Sequence, residues 1–361
     1  MIGVERRLSA HLDWSLIGAV VALALVGLAM IYSVKPGGEF WTQVYALPVG
    51  LGALAACLVV DYRTLIQRSL WAFGAVVLAL TYVHFFGAAH GGARRWISLG
   101  RVSLQPSEFA RLALSLVLAL VYGETRRSAK SIGGLLVGAV FVAVLCGLIL
   151  TQPDLGTAAT LIPVYLAVTT VSGMRLRWLA AGVVVVALLS PIIWAYGLHD
   201  YQKQRIETFL DPAKDPRVGG YQQIQARVTV GSGGLLGKGF RQGTQGGYGF
   251  LPAASNDFVF SVLAEEHGFL GVLVALGLYL FVIVRSLDAA QLAKDRAGAC
   301  LVVAIISGFT FQVLYNITMS AGLAPVKGLT LPLMSYGGSS LVATLAGFGL
   351  ILNVRMRRFT N

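Results

Sequence analysis

Ten long apolar stretches run along the chain, separated by shorter polar segments. They lie at residues 14–33, 41–60, 69–87, 106–123, 132–150, 154–172, 177–197, 257–284, 297–321 and 336–354. Because a helix rises ~1.5 Å per residue, each stretch is long enough to cross about 30 Å of hydrocarbon. The pattern predicts an all-α polytopic integral membrane protein with about ten transmembrane helices, in one membrane domain over 1–361.

The composition supports this fold class and excludes soluble ones. Of the 361 residues, 56% are hydrophobic and only 12% are charged, whereas soluble domains carry about 25% charged residues. The three cysteines, Cys57, Cys146 and Cys300, stand singly in apolar stretches, which fits neither a disulfide framework nor a metal cluster. A soluble enzyme, a disordered chain and a disulfide scaffold are therefore excluded.

The chain is strongly basic, with 28 Lys and Arg residues against 16 Asp and Glu residues. Such an excess fits a nucleic acid, a membrane surface or an anionic substrate as partner. If the N-terminus is cytoplasmic, more than half of the basic residues fall in or beside inner loops, as the positive-inside rule requires. We therefore expect both termini in the cytoplasm and no binding to nucleic acid.

Basic residues on the opposite side need another reason. Arg94, Arg95 and Arg101 lie in a short outer loop, where the positive-inside rule disfavours them, and an anionic ligand would explain their presence. Residues 198–256 form the one long extracytoplasmic loop, between helices 7 and 8. A loop of this length is usually functional or disordered, and its stretch 221–230 has the pattern of a short amphipathic helix.

Glu108 and Arg111 are ionisable residues within an apolar stretch. Charges at membrane depth are costly, so they indicate either a functional site or a structural ion pair. The i, i+3 spacing brings both side chains to one face of a helix, where they can bond to each other. Both interpretations stay open.

Asp257 stands where the long loop becomes an apolar helix. It can cap the helix N-terminus, although Ser255 and Asn256 beside it are equally suitable caps. A carboxylate at the membrane–water boundary, next to a basic loop, is also well placed to act as a general base. Further along the same helix, Glu265 and Glu266 indicate either a structural network or catalysis.

Two further polar stretches lie at predicted helix starts. Asp154 belongs to a very short outer turn at 152–157 and is interpreted as a helix cap. Ser335 and Ser339 belong to the small, hydroxyl-rich stretch 335–340 that opens the last helix. Such a helix start can hold an anion, or its small residues can let neighbouring helices pack closely.

Six motifs along the chain match a known family as an ordered set. They lie at 94–97, 105–109, 152–157, 215–222, 231–239 and 335–340. Together they resemble the SEDS family (shape, elongation, division and sporulation) over essentially the whole chain. Gln245, in the stretch 243–245, points to the elongation branch typified by RodA, whereas Lys327, in the stretch 325–332, leans toward the division branch typified by FtsW.

The resemblance implies a peptidoglycan glycosyltransferase that polymerises lipid II at the outer face of the bacterial cytoplasmic membrane, for cell elongation and rod shape. It also implies a class B penicillin-binding transpeptidase as partner, together with other membrane proteins of the elongation complex. In the family, the aspartate that matches Asp257 is the essential acid, and the residues that match Trp96 and Glu108 are also important. Asp257 is therefore the expected catalytic residue.

The expected substrate site follows from the chemistry of lipid II, a disaccharide on a polyprenyl pyrophosphate. Arginines would clamp the dianionic leaving group, with or without a divalent cation such as Mg²⁺ or Mn²⁺. A single displacement that inverts the donor needs a base but no covalent carboxylate. The expected substrate-binding residues are Arg94, Arg95, Trp96, Arg101, Glu108, Arg111, Gln245, Lys327, Ser335 and Ser339.

A lipid II flippase is the alternative from another functional class. A transporter would carry the headgroup across the membrane on the same charges, and it would be expected to have inverted repeats and helices broken near mid-membrane. The sequence indicates neither feature, and its candidate residues gather at the outer boundary. A scaffold that only binds partners would leave the outer arginines unexplained.

Overall fold

The computed structural model describes residues 12–90, 93–99, 102–125, 129–197, 200–212, 215 and 219–359. Within these residues the chain is mainly helical. Its helices are α1 (Trp14–Val34), α2 (Gly38–Val59), α3 (Tyr62–Gln67), α4 (Ser69–Phe86), α5 (Pro106–Ala119), α6 (Ile132–Leu150), α7 (Leu155–Val171), α8 (Leu176–Ile192), α9 (Asp200–Leu210), α10 (Gly219–Ser232), α11 (Thr244–Gly247), α12 (Val259–Gln291), α13 (Arg296–Ser320) and α14 (Gly338–Met356).

The long apolar helices confirm the predicted fold class. Eight of the described helices are long and apolar enough to cross a membrane: α1, α2, α4, α5 with its π-helical extension to Glu124, α6, α12, α13 and α14. Helices α7 and α8 are apolar but shorter, at 17 residues each. Together these ten helices occupy the ten predicted positions, and the chain is an integral membrane protein.

Three helices, α5, α13 and α14, form the interior of the bundle. Between 61% and 78% of the residues in their apolar windows are buried, against 17–44% in the other five long spans. Polar side chains are tolerated on these inner helices because protein, and not lipid, surrounds them. Glu108 on α5 and Gln312 on α13 are accordingly buried.

Polar contacts mark the two ends of the bundle. At one end, Asp13 Oδ2 forms ion pairs with Arg285 Nε at 2.9 Å and with Arg355 Nη1 at 2.5 Å. This contact joins the first and last helices, and we call it the termini end. At the opposite end, which we call the site end, Ser33 in the last turn of α1 donates a hydrogen bond to Glu266.

Helix α12 differs from the single predicted helix 257–284. It runs on to Gln291 and is interrupted at Gly268, whose φ of 63° and ψ of −162° are non-helical. A Cβ at this position would lie 2.3 Å from the backbone nitrogen of Gly237, so only glycine lets the preceding loop pass this closely. Because Glu266 contacts the end of α1, the break lies at the site end and not in the middle of the bundle.

A small antiparallel sheet occupies the segment predicted to be a short outer loop. Its strands are β1 (Ala88–His90), β2 (Ala93–Leu99) and β3 (Val102–Leu104), with β2 in the centre. Strands of three to seven residues are too short to give a clear alternating pattern in the sequence. The sheet holds the part of the chain that carries Arg94, Arg95 and Trp96.

Within its described residues, the long loop between α8 and α12 contains the three helices α9, α10 and α11. The sequence predicts a helix that continues to 197, but α8 ends at Ile192 and passes into a π-helical turn, Ile193–Gly197. Helix α10 includes the predicted amphipathic stretch 221–230, and it packs against α12 and α13. Gln223 on α10 donates a hydrogen bond to Gly322 at the end of α13, which holds the loop against the site end.

Candidate active site

Asp257 lies at the end of the long loop, just before α12. The cap residue of α12 is Phe258, and no side chain caps this helix end, so the interpretation of Asp257 as a helix cap is wrong. Its backbone carbonyl accepts a 2.8 Å hydrogen bond from Asn316 Nδ2 on α13. The same nitrogen donates to Leu329 O at 2.7 Å, which joins Asp257 to the loop 321–337.

A cavity of about 110 Å³ lies beside Asp257. Its lining includes Arg95 from β2, Asp154 from the turn before α7, Arg205 from α9, and Lys327 and Gly328 from the loop 321–337. A Cβ at Gly328 would lie 3.6 Å from Asp257 Oδ2, so the carboxylate borders the cavity next to this glycine. Among the described residues, three cationic side chains outnumber the carboxylates of Asp154 and Asp257, which makes the cavity suited to an anion.

The electrostatic surroundings of Asp257 fit a proton acceptor. Burial raises the pKa of the Asp257 carboxyl to about 6, while the Arg205 guanidinium acts in the opposite direction and the Asp154 carboxylate adds to the rise. No described side chain donates a hydrogen bond to this carboxyl group. A carboxyl group that titrates near neutral pH, with its oxygens unoccupied, can take a proton from a ligand.

Lys327 shares these surroundings. Burial lowers the pKa of its ammonium group, and the positive charge of Arg205 lowers it further. Two cations that face one small cavity repel each other, and an anionic ligand between them would relieve that repulsion. The geometry therefore supports Lys327 as an expected binding residue more directly than the sequence motif does.

The two described arginines of β2 differ in where they lie. Arg95 lines the cavity and donates hydrogen bonds to Gln152 O at 2.9 Å and to Pro153 O at 2.6 Å, so its position is fixed. Arg94 is exposed, is not among the cavity-lining residues, and donates to Phe85 O at 3.1 Å. Of this pair, only Arg95 is placed to contact a ligand inside the cavity.

Two more expected binding residues, Trp96 and Gln245, are not among the residues that line this cavity. Trp96 is partly buried and pairs with Ala88 of β1 across the sheet. Gln245, on α11, donates a hydrogen bond from its backbone nitrogen to Glu265 Oε1 at 3.1 Å. Arg101 lies outside the described residues.

Glu108 and Arg111 form the expected ion pair, with 2.7 Å between Glu108 Oε2 and Arg111 Nη2. Arg111 also donates a hydrogen bond to Gln312 on α13, and Gln312 Nε2 donates to Thr330 Oγ1 at 3.3 Å. The pair lines a separate cavity of about 30 Å³ within the bundle. It does not border the Asp257 cavity, but Gln312 connects it to the loop 321–337.

Glu265 belongs to a structural network, which settles one alternative left open by the sequence. Its side chain is 0% exposed and accepts hydrogen bonds from Lys238 Nζ at 2.7 Å, from Thr244 N at 2.9 Å and from Gln245 N at 3.1 Å. These bonds fix the last part of the long loop to α12. Glu265 therefore holds the segment that leads into Asp257.

The hydroxyl groups of Ser335 and Ser339 are occupied by backbone partners. Ser335 Oγ accepts a hydrogen bond from Leu331 N at 2.8 Å. Ser339 Oγ accepts one from Gln105 N at 3.0 Å and donates one to Ser103 O at 3.1 Å. These bonds tie the start of α14 to the sheet and to α5, which favours the packing interpretation of this stretch over anion binding.

The sequence alone does not identify Arg205 and Asp154 as cavity residues. Asp154 caps α7, as expected, because its Oδ1 accepts a hydrogen bond from Thr157 N at 3.1 Å; its place in the cavity wall is an additional finding. Arg205 is one of several basic residues in the long loop, and no pattern distinguishes it from the others. Its position depends on how α9 docks on the bundle.

The described residues around this cavity do not provide a complete set of ligands for a divalent cation. Among the described residues, no group of three or more His, Cys, Asp and Glu side chains gathers that could hold a metal ion. The Asp154 carboxylate already accepts hydrogen bonds from Thr157 and Gln105, so among the described residues Asp257 is the one uncommitted carboxylate at this cavity. We assign no catalytic step to a metal.

Comparison with known sequences identifies the family. A family model described as a cell cycle protein, covering FtsW, RodA and SpoVE, matches residues 8–359. The peptidoglycan glycosyltransferase MrdB of Escherichia coli (strain K12) is 36% identical over 352 residues, which cover 96% of this chain and 94% of MrdB.

Comparison with solved structures supports the same family. A chain from a structure described as "structural coordination of polymerization and crosslinking by a peptidoglycan synthase complex" aligns with a TM-score of 0.85 and 35% identity, over 97% of this chain and 99% of that one. The rod shape determining protein RodA of Thermus thermophilus aligns with a TM-score of 0.73 and 30% identity, over 97% of this chain and 98% of RodA. Since family, relative and structures all match nearly end to end, the chain belongs to the FtsW, RodA and SpoVE family of cell cycle proteins, the SEDS family.

Proposed function

We propose that this protein is a peptidoglycan glycosyltransferase that polymerises lipid II, with Asp257 as the general base. The carboxyl group of Asp257 carries this proposal, because it borders a cation-lined cavity with its oxygens free and has a pKa of about 6. The name of the relative MrdB, a peptidoglycan glycosyltransferase, supports the reaction class.

The proposed reaction is a single inverting displacement. Asp257 takes the proton from a hydroxyl group of the acceptor sugar, and the hydroxyl oxygen forms a bond to the anomeric carbon of the donor. The bond between that carbon and the pyrophosphate oxygen breaks, and the pyrophosphate leaves with the electron pair. An α-linked donor thereby gives a β-linked product without a covalent enzyme intermediate. The proton that Asp257 gains is released to water before the next cycle.

The cations of the cavity are proposed to stabilise the leaving group. Arg95, Arg205 and Lys327 line one small space beside Asp257, and preorganised cations lower the energy of a developing anion more than solvent does. Arg94, Trp96 and Arg101 are proposed to contact the lipid II headgroup. Glu108, Arg111, Gln245, Ser335 and Ser339 are proposed to act indirectly, by holding the elements around the cavity.

The proposed setting is the bacterial cytoplasmic membrane, with the site end outside and both termini in the cytoplasm. The termini end carries Arg285, Arg296, Arg355 and Arg357 close to helix ends, which fits the positive-inside rule. The aligned chain from a peptidoglycan synthase complex supports a class B penicillin-binding transpeptidase as partner. Cell elongation, with other elongation-complex membrane proteins, is the proposed context because RodA is a structural relative.

Polymerisation in detergent separates this function from that of a flippase. The purified chain would be given lipid II in detergent micelles, with and without its transpeptidase, and the products would be resolved by gel electrophoresis. Glycan strands are expected, because a polymerase needs no second compartment. Lipid II that stays unpolymerised under both conditions, yet is transported by the same chain in vesicles, would overturn the proposal in favour of the flippase.

A further inference from the structure

A second and larger cavity lies next to the one beside Asp257. Its volume is about 330 Å³, which is within the range of about 300–1,000 Å³ typical of small-molecule sites. The two cavities share Arg205 as a lining residue. Arg205 Nη1 donates a 3.4 Å hydrogen bond to the carbonyl of Val326, the residue before Lys327, so the boundary between the cavities is formed by the loop 321–337 and α9.

Two facing helices supply most of the wall of this second cavity. Gln204, Arg205 and Thr208 come from one face of α9, and Gly219, Gln222 and Gln223 come from one face of α10. The i, i+4 and i, i+3 spacings within each set are those that place side chains on one side of a helix. Asp215 Oδ2 accepts a 2.9 Å hydrogen bond from Gly219 N at the start of α10, which fixes this corner of the cavity.

Within the part of the chain that the structure describes, the lining is polar but electrically balanced. The described lining residues supply one guanidinium, from Arg205, and one carboxylate, from Asp215, whereas their other polar side chains are neutral amides and a hydroxyl. The smaller cavity, by contrast, combines three described cations with the carboxylates of Asp154 and Asp257. The neighbouring cavities therefore select for different chemistry: an anionic group in the smaller one and a neutral, hydrogen-bonding group in the larger one.

Several polar side chains of the larger cavity are uncommitted. The side chains of Gln204 and Gln222 make no hydrogen bond with any described residue, and the side chain of Gln223 makes a single long one, at 3.5 Å, to Gly322 O. Each primary amide offers two donors and a carbonyl acceptor. Hydroxyl and acetamido groups of a sugar need that mixture of donors and acceptors, and a charged peptide would instead require matching charges.

We infer that the larger cavity, formed by α9, α10 and Val326, is a binding subsite for a neutral N-acetylated sugar that adjoins the reacting centre through Arg205. The inference rests on the proposed function for the identity of the sugar. A sugar held there, next to the cavity beside Asp257, would keep a growing glycan strand on the protein between additions.

Direct binding tests the subsite without any turnover. N,N′-diacetylchitobiose is a suitable probe because it is an uncharged disaccharide without lipid, pyrophosphate or peptide. Its contact with the full-length purified chain in detergent can be measured by saturation-transfer NMR. Loss of a neutral hydrogen bond weakens binding by about two- to tenfold, so the double variant Gln204→Ala/Gln222→Ala should lose most of the signal. Gln291→Ala, at the exposed end of α12, is the matched control and should keep it.

Glycan length provides the second readout. In a lipid II polymerisation assay, the double variant should make glycan strands that are shorter by about twofold or more, while Gln291→Ala makes strands of normal length. Equal chitobiose signals in the double variant and the control would overturn the subsite. Displacement of chitobiose by the free stem peptide, with no glycan shortening in the double variant, would overturn it in favour of a peptide site.

The outcomes also separate this inference from the proposed function. Normal polymerisation by the unmodified chain, without chitobiose binding that depends on Gln204 and Gln222, would overturn the subsite and leave the polymerase intact. Binding that depends on both glutamines, in a chain that makes no glycan, would support the sugar site and overturn the polymerase.

Discussion

The side-chain amide of Asn316 donates a 2.8 Å hydrogen bond to the backbone carbonyl of Asp257. Asn316 is 0% exposed, and its second hydrogen bond goes to Leu329 in the loop that carries Lys327. One buried amide thus fixes the candidate base relative to a candidate cation. The position of Asp257 depends on α13, although about sixty residues separate the two in the sequence.

Asn316→Ala should therefore reduce polymerisation chiefly through kcat. The variant leaves two buried carbonyl groups unpaired, at about 1–3 kcal/mol of stability each, and displacement of a base by ~1 Å costs roughly a hundredfold in rate. Thermal unfolding and steady-state kinetics on lipid II would measure both effects.

Asn353→Ala is the matched control for that variant. Asn353 is equally buried and donates hydrogen bonds to Cys57 O at 2.7 Å and to Val60 O, but at the termini end. It should cost at least as much stability, because the Asn353 side chain also bonds to Leu58, Tyr62 and Arg357, and it should leave kcat within about twofold of normal. Equal losses of kcat in both variants would show that the Asn316 contact has no special role.

The pKa of Asp257 predicts how activity depends on pH. A general base works only when ionised, so activity should rise with pH along a limb centred near the pKa of about 6. Roughly a tenth of the full rate is expected at pH 5. Arg205 lowers this pKa, so Arg205→Ala should move the limb to higher pH.

Lys203→Ala serves as the control in the pH series. Lys203 is a basic residue on the same helix, and its ammonium group donates to Ala195 O; its removal should leave the limb in place. Initial rates from pH 4.5 to 8.5 would give the pH profiles of the unmodified protein, Arg205→Ala and Lys203→Ala. A limb at the same pH in all three proteins would contradict the electrostatic coupling of Arg205 to Asp257.

The Glu108–Arg111 ion pair should tolerate reversal better than disruption. Removal of one partner of a buried pair costs about 3–5 kcal/mol, because the other charge is left uncompensated. Glu108→Arg combined with Arg111→Glu restores a pair, and the Gln312 amide can rotate to donate to a carboxylate at position 111. Complementation of growth and membrane protein levels should recover more in the double variant than in either single one. A double variant as defective as the singles would refute the pair as the reason for these residues.

Glu265 should matter more to the long loop than its partner Lys238 does. Glu265→Ala leaves the ammonium of Lys238 and the backbone nitrogens of Thr244 and Gln245 without their acceptor, whereas Lys238→Ala keeps both backbone bonds. Each buried donor left unpaired costs about 1–3 kcal/mol, so Glu265→Ala should lower the free energy of unfolding more than Lys238→Ala, which leaves the Glu265 carboxylate its backbone donors. Limited proteolysis within 233–250 would report the release of the loop. Faster cleavage in Lys238→Ala than in Glu265→Ala would contradict the network.

The sequence predicted the membrane helices more completely than it predicted the candidate site. Apolar stretches of about twenty residues leave few alternatives to a membrane helix, and the i, i+3 spacing was sufficient to predict the Glu108–Arg111 pair. The sheet that carries Arg95 was not predictable, because its strands are too short for a pattern. Arg205 and Asp154 meet Asp257 only after α9 and α7 pack at the site end, and that packing leaves no local signal in the chain.

Polymerisation of lipid II by Asp257→Asn tests the assignment of the general base most directly. Asn keeps the size of the side chain, and loss of a carboxylate that burial disfavours should not lower thermal stability. Without its proton acceptor, the purified variant is expected to lose about two to four orders of magnitude in rate while it still binds lipid II. Glycan synthesis at the rate of the unmodified protein would remove Asp257 from the mechanism.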